Sequence, residues 1–122
     1  MKIRKHYTQM TDAEIKKCHF LVMQYITENK GIELTKHAQE RNEAKNINID
    51  KYTLLESLVS GNIIEYERVN GRARIVIRFG YKDFSLSAVI SDEGKIVTIW
   101  DNAENDNHAT LDLNQYDAWL KI

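Results

Sequence analysis

The 122-residue sequence predicts an α+β domain in which N-terminal helices pack on one face of a four-stranded antiparallel sheet. Three observations carry this. Three capped stretches with helical spacing precede Gly61; two-residue alternation rich in β-branched residues follows it; and Asn70-Gly71 sits between two alternating runs as a hairpin turn. With 43% hydrophobic and 29% charged residues, the chain has the balance of one folded core, so residues 1–122 read as a single domain.

The first helix is expected over 12–30. Thr11 and Glu14 form a reciprocal cap, Ile15, Cys18, Val22, Tyr25 and Ile26 recur at three- and four-residue steps, and Asn29-Lys30-Gly31 supplies the stop. Thr35 caps a polar helix, Lys36 through Lys45, whose only small apolar members are Ala38 and Ala44. The third helix starts at Asp50, carries Leu54, Leu55, Leu58 and Val59, and ends at Gly61. Strands follow over 62–69, 72–79, 84–91 and 95–100. Alternation sends Ala73, Ile75, Ile77 and Phe79 to one face and Arg72, Arg74 and Arg78 to the other, with Ser85 and Ser87 also outward. Residues 102–122 read as a polar loop and a C-terminal element around Tyr116 and Trp119.

Composition excludes several classes. A formal charge of −1 speaks against a polybasic nucleic-acid arm and an acidic tail, and the single Cys18 against a disulfide framework or a CxxC metal pair. Without a bilayer-length apolar run or a signal-peptide pattern, the expectation is a cytoplasmic protein with no membrane partner. Phosphate-cradling GxxxxGK, dinucleotide GxGxxG, HExxH and nucleophile-elbow patterns are missing, so no cofactor and no metal are expected.

The residues that remain suggest work on a phosphodiester. His37 and Arg41 are four apart, on one helical face; an imidazole moves a proton near neutrality, and a guanidinium grips a phosphate. The plainer reading is a solvated helix with Glu40 and Glu43 as ion partners. Arg72, Arg74 and Arg78 form a phosphate-binding stripe, unless Glu65 and Glu67 of the partner strand neutralise them. In the loop after the last strand, His108 is a candidate acid to His37's base, and Thr110 a phosphate hydrogen-bonder; the plainer reading is turn-forming Asp and Asn. His6 and His19 have no partner at ligand spacing.

Four motifs occur in order: Leu34-Thr35-Lys36-His37-Ala38-Gln39-Glu40-Arg41, Ile47-Asn48-Ile49-Asp50, Ser60-Gly61-Asn62-Ile63-Ile64-Glu65 and Ile96-Val97-Thr98-Ile99-Trp100. Over residues 34–101 the chain thereby resembles a family of small domains of phages, mobile elements and polymorphic toxins. Those domains share a His-Ala-x-x-Arg helix and are placed with the barnase, EndoU, colicin and RelE (BECR) group of metal-independent ribonucleases. The resemblance implies a BECR-like core over 34–101 with 12–30 as an accessory helix, and RNA lying across the open face of the sheet. It puts the helix motif on His37 and Arg41 and the closing strand on Thr98 and Trp100. The expected function is then a metal-independent RNA endonuclease of toxin or mobile-element type, acting on RNA such as tRNA. A cognate antitoxin or immunity protein, or a host protein, is the expected protein partner. The alternatives are a non-catalytic phage-encoded inhibitor and an RNA-binding module, the latter using Tyr66, Tyr81 or Trp100 for stacking.

Overall fold

The computed structural model describes residues 1–44, 47–102 and 112–122. Helix α1 spans Asp12–Glu28 and opens with the reciprocal cap: Glu14 N donates to Thr11 Oγ1 and Thr11 N to Glu14 Oε1, both at 3.1 Å. It ends where Lys30 and Gly31 turn to φ of 57° and 125°, the left-handed region that stops helices. Strand β2, Glu33–Leu34, leads into α2, Lys36–Ala44, where Ala38 N donates to Thr35 Oγ1 at 3.1 Å. Helix α3, Lys51–Ser60, starts on Asp50, whose Oδ1 accepts from Thr53 N at 2.7 Å.

The sheet corrects the four-stranded antiparallel expectation. It has six strands, in the order β1-β3-β4-β5-β6-β2, and it is mixed. Strands β3 (Asn62–Val69), β4 (Arg72–Tyr81), β5 (Phe84–Ser91) and β6 (Lys95–Asn102) form the expected antiparallel meander. Two strands join its edges. Strand β1, Lys2–His6, pairs antiparallel with β3, and β2 pairs parallel with β6. Hence the helices do not all precede the sheet; β1 and β2 come before α1 and α2. Neither edge strand carries a local signal: β1 is four-fifths charged or imidazole-bearing, and β2 has two residues.

One face of the sheet is covered. Cys18, Val22 and Tyr25 of α1, Ala38 of α2 and Leu54 and Leu58 of α3 share a buried core with Ile75, Ile77, Leu86, Ala88, Ile90, Ile96 and Ile99. The opposite face carries the arginine row, as alternation along β4 requires. Two bulges then set which residues share that open face. In β3, Ile63 pairs with Ile77 and Glu65 with Val76, leaving Ile64 as the extra residue; in β6, Thr98 pairs with Val89 and Ile96 with Ile90, leaving Val97 extra. Each bulge reverses the alternation beyond it. Ile63 and Ile96 thus stay in the core, while Glu65, Glu67, Thr98 and Trp100 face outward with Arg74 and Val76.

The edge of β1 is closed by the C-terminal segment. Asp117 N donates to the Arg4 carbonyl at 2.7 Å, and Arg4 N donates to Asp117 Oδ2 at 3.0 Å. Beside this, the buried Lys5 ammonium donates to both carboxylate oxygens of Glu14 at 3.0 Å and to the Leu120 carbonyl at 2.8 Å. Burial pushes the Glu14 carboxyl up, but the Thr11 and Ile122 amides and the Lys5 ammonium outweigh it and hold the group below its ordinary 4.5. A depressed carboxyl stabilises the fold above its unfolded value, and that contribution fades as pH falls through the lower folded value. Lys5→Met leaves Glu14 short of its cation and is expected to cost about 3 kcal/mol, measured by urea denaturation at neutral pH. The loss should shrink as pH falls through the range where Glu14 takes up a proton.

Candidate functional site

The open face holds a hollow of about 390 Å³ that gathers charged groups from three strands, β1, β3 and β4. The volume falls in the range of small-ligand sites, about 300–1,000 Å³. Its layout follows the register. His6, Glu65, Val76, Val89 and Thr98 are successive cross-strand partners from β1 to β6, and Arg4, Glu67 and Arg74 form the next row. With strands about 4.8 Å apart, Glu65 and Thr98 stand about 14 Å from each other. A charged end on β1 and β3 therefore faces a drier end formed by Val76, Val89 and Trp100.

Glu65 and Glu67 are two residues apart, so both carboxyls emerge on the same side of β3, and both are buried. Lys2 Nζ lies 3.2 Å from Glu67 Oε2, and Arg4 Nη1 lies 3.9 Å from Glu65 Oε1. Burial first, and the Glu67 neighbour second, raise Glu65 to about 7, against the opposing hydroxyl of Tyr116 and the charge of Arg4. Burial first, and the neighbouring Glu65 carboxyl second, push the Tyr116 hydroxyl up to about 12. The His6 ring is buried, with Nδ1 2.8 Å from Thr8 Oγ1 and the Tyr116 ring edge-on at 5.4 Å.

Charge in the hollow differs in sign from the chain as a whole. Lys2, Arg4 and Arg74 outnumber the carboxyls of Glu65 and Glu67, so the site is cationic on a protein of formal charge −1. Arg74 sits across from Glu67 and has no ion-pair partner among the described residues. A cationic site with a carboxyl poised at neutral pH can bind an anionic ester and exchange a proton with it. Among the described residues no three His, Cys, Asp or Glu side chains converge as metal ligands.

The residues singled out from the sequence distribute unevenly around this hollow. Arg74, Thr98 and Trp100 line it. Arg72 shares the face but is bound to Asp92 at 3.0 Å and Glu93 at 3.6 Å. Arg78 donates from Nε to Ser85 Oγ at 2.9 Å, further along the same strand. His37 and Arg41 do not join them: Ala38 buries itself in the core with Ile75 and Ile77, which puts α2 on the covered side of the sheet. His37 is exposed there, and Arg41 is half-buried, with a buried Nε lacking a hydrogen-bond partner among the described residues. His108 and Thr110 lie outside the described residues.

Six polar or charged lining residues were not singled out as a site: Lys2, Arg4, His6, Glu65, Glu67 and Tyr116. Glu65 and Glu67 were expected only as possible ion partners of the arginine row, and the bulge at Ile64 is what puts them on that face while Ile63 stays in the core. Nor do the glutamates neutralise the arginine row, because β1 supplies their cations instead. Comparison with family models, with curated proteins and with solved structures finds no match for this chain.

Proposed function

We propose that the chain is an RNA endonuclease that cleaves by attack of a 2′-hydroxyl on the adjacent phosphate, without needing a metal ion. The observation that carries this reading is the cationic hollow containing Glu65, a carboxyl raised to about 7 beside Arg4, Arg74 and His6. In this scheme Glu65 in its ionised form takes the proton of the 2′-hydroxyl, the O2′–P bond forms and the P–O5′ bond breaks. His6 in its protonated form returns a proton to the departing O5′. Arg74, with Arg4 and Lys2, balances the negative charge that grows on the phosphoryl oxygens. Trp100 and the Val76–Val89 floor offer a dry surface for a base. The resemblance over residues 34–101 bears on the reading through the RNA-facing sheet face and the toxin or mobile-element type that it implies, not through its His37–Arg41 motif, which lies on the covered side. A cytoplasmic site of action and tRNA among the substrates belong to the same proposal, and among the described residues no helix is long and apolar enough to cross a membrane.

The test is incubation of the purified protein with tRNA and single-stranded RNA in excess EDTA, reading the 3′ ends of the products. Cyclic phosphate ends, lost in Glu65→Gln, are the expected result; intact RNA from folded protein would sink the proposal. Arg74→Ala is expected to lower kcat/KM by about 100-fold or more through lost charge stabilisation, measured on the same substrates. His37→Ala, on the covered side, should leave cleavage within a few-fold.

A second reading is a protein-binding role, with an antitoxin, immunity protein or host protein as partner. Phe20 and Met23, three residues apart on α1 and 66% and 48% exposed, favour it.

A further inference from the structure

We infer that a second pocket, on the covered side of the sheet between α1 and the β3–β4 hairpin, binds a small phosphate monoester. Neither its residues nor its chemistry depends on the function proposed above.

The pocket has a volume of about 310 Å³. The register of β3 builds one wall. Beyond the bulge at Ile64, Tyr66 and Arg68 fall on the covered face, opposite Ile75 and Ala73 of β4, while Glu65 and Glu67 face the hollow on the other side. Helix α1 builds the other wall with Lys17, Leu21 and Tyr25, which follow one another at four-residue steps and so share one stripe of the helix. The two sites thus lie on opposite faces of one strand.

Donors outnumber acceptors in this pocket. Tyr25 and Tyr66 are 6% and 3% exposed, so both rings belong to the core although both residues line the pocket. The Tyr25 hydroxyl has no hydrogen-bond partner among the described residues, yet it keeps contact with solvent. The Tyr66 hydroxyl accepts from Arg68 Nε at 3.2 Å, which leaves its own proton to give. That bond holds the Arg68 guanidinium carbon 6.0 Å from the Tyr66 ring centre, with both Nη groups uncommitted among the described residues. Lys17 and Arg68 make no ion pair with any described residue. Asp92, the acidic side chain of the lining, is already engaged: Oδ2 accepts from Ala73 N at 3.1 Å, and Oδ1 lies 3.0 Å from Arg72 Nη2.

Two hydroxyl protons, a guanidinium fork and an ammonium therefore border a space with no uncommitted carboxylate, and that combination selects an anion. Two positive charges match the charge of about −1.5 to −2 that a phosphate monoester carries near neutrality, where a carboxylate carries one. Leu21, Ala73 and Ile122 complete the wall and suit the apolar group of an ester. The volume lies at the small end of ligand sites, about 300–1,000 Å³, which fits a small molecule.

The probe is phenyl phosphate, titrated into the nitrogen-15-labelled full chain and followed by amide NMR, with inorganic phosphate and benzoate titrated beside it. Saturable shifts are expected at the amides of residues 17–25 and 66–73, with phenyl phosphate bound more tightly than either comparison ligand. Arg68→Gln should weaken binding by about 10-fold or more, and Tyr25→Phe, which keeps the ring, by about 5-fold. Should Arg68→Gln fail to fold, Lys17→Gln on the exposed side of α1 carries the same expectation. Shifts that do not saturate, benzoate or inorganic phosphate binding as tightly as phenyl phosphate, or affinity unmoved in the folded variants would each overturn the inference. So would binding lost in Arg74→Ala, which would place the ligand in the open-face hollow. Failure of the RNA cleavage assay bears on the proposed function alone.

Discussion

Glu65→Gln is expected to abolish RNA cleavage and to make the protein more stable at alkaline pH. The activity half follows from the proton transfer assigned to this carboxyl, worth about 10²–10⁴ in rate for a positioned general base. The stability half follows from the same environment. Glu65 is buried beside Glu67, and its carboxyl is raised from 4.5 to about 7 in the fold. Between those values the folded chain holds a proton that the unfolded chain has released, so stability falls as pH rises from 4.5 through about 7. At 1.36 kcal/mol per unit the full effect is of the order of 3 kcal/mol. An amide never ionises and escapes that loss, and it also relieves Glu67 of a like charge. Urea denaturation of both proteins at pH 5 and pH 9 checks this: the variant should gain at pH 9 and lose that advantage at pH 5. An equal difference at both values would show that Glu65 does not titrate near neutrality. Gain of stability on loss of a site residue marks a group placed for chemistry rather than for the fold.

Gly61→Ala is the second large effect, and it concerns the scaffold. Gly61 has φ of −74°, a conformation any residue adopts, so backbone strain plays no part. The cost is steric. A Cβ there would lie 2.6 Å from Ile77 Cγ2, 2.7 Å from the Ser57 carbonyl oxygen and 3.0 Å from the Arg78 carbonyl oxygen. Ser57 belongs to α3 and accepts the Gly61 amide at 2.8 Å, while Ile77 and Arg78 belong to β4, so the methyl would wedge the helix away from the sheet. Relief requires moving main chain on both sides, and a loss of about 3 kcal/mol or more is expected, at the upper end of overpacking costs. Gly80→Ala on the same strand is the control, since its Cβ would meet nothing within 4 Å; it should change stability by about 0.5 kcal/mol or less. Thermal unfolding of the two variants side by side separates a special close contact from a general intolerance of alanine.

The residues that were legible in the sequence are those whose environment is made locally. Thr11, Thr35 and Asp50 cap the helices they precede, because a cap bonds amides two or three residues away. Asn70 and Gly71 adopt φ of 53° and 79°, the paired left-handed turn that joins β3 to β4, and such conformations are a property of those two residue types. The arginine row was equally readable, since β4 runs without a bulge and alternation holds along its length.

Strand β1 was not readable because its lysines and arginine are neutralised by Glu14, Glu65 and Glu67, residues 9 to 65 positions away in the chain. The open-face hollow was hidden for a second reason. Periodicity assumes an unbroken count, and the bulges at Ile64 and Val97 each add one residue, so that Glu65, Glu67, Thr98 and Trp100 share the arginine face while Ile63 and Ile96 stay in the core. Local sequence therefore determined the helices, their ends, the central meander and the cationic face of β4. Tertiary structure alone decided the six-stranded mixed sheet, the pairing of the buried Glu65 and Glu67 with the cations of β1, and the return of the Tyr116 segment to the β1 edge. Caps and turns are fixed by bonds that close within a few residues. Edge pairing, bulge position and the charge state of Glu65 depend on partners that only folding brings within reach.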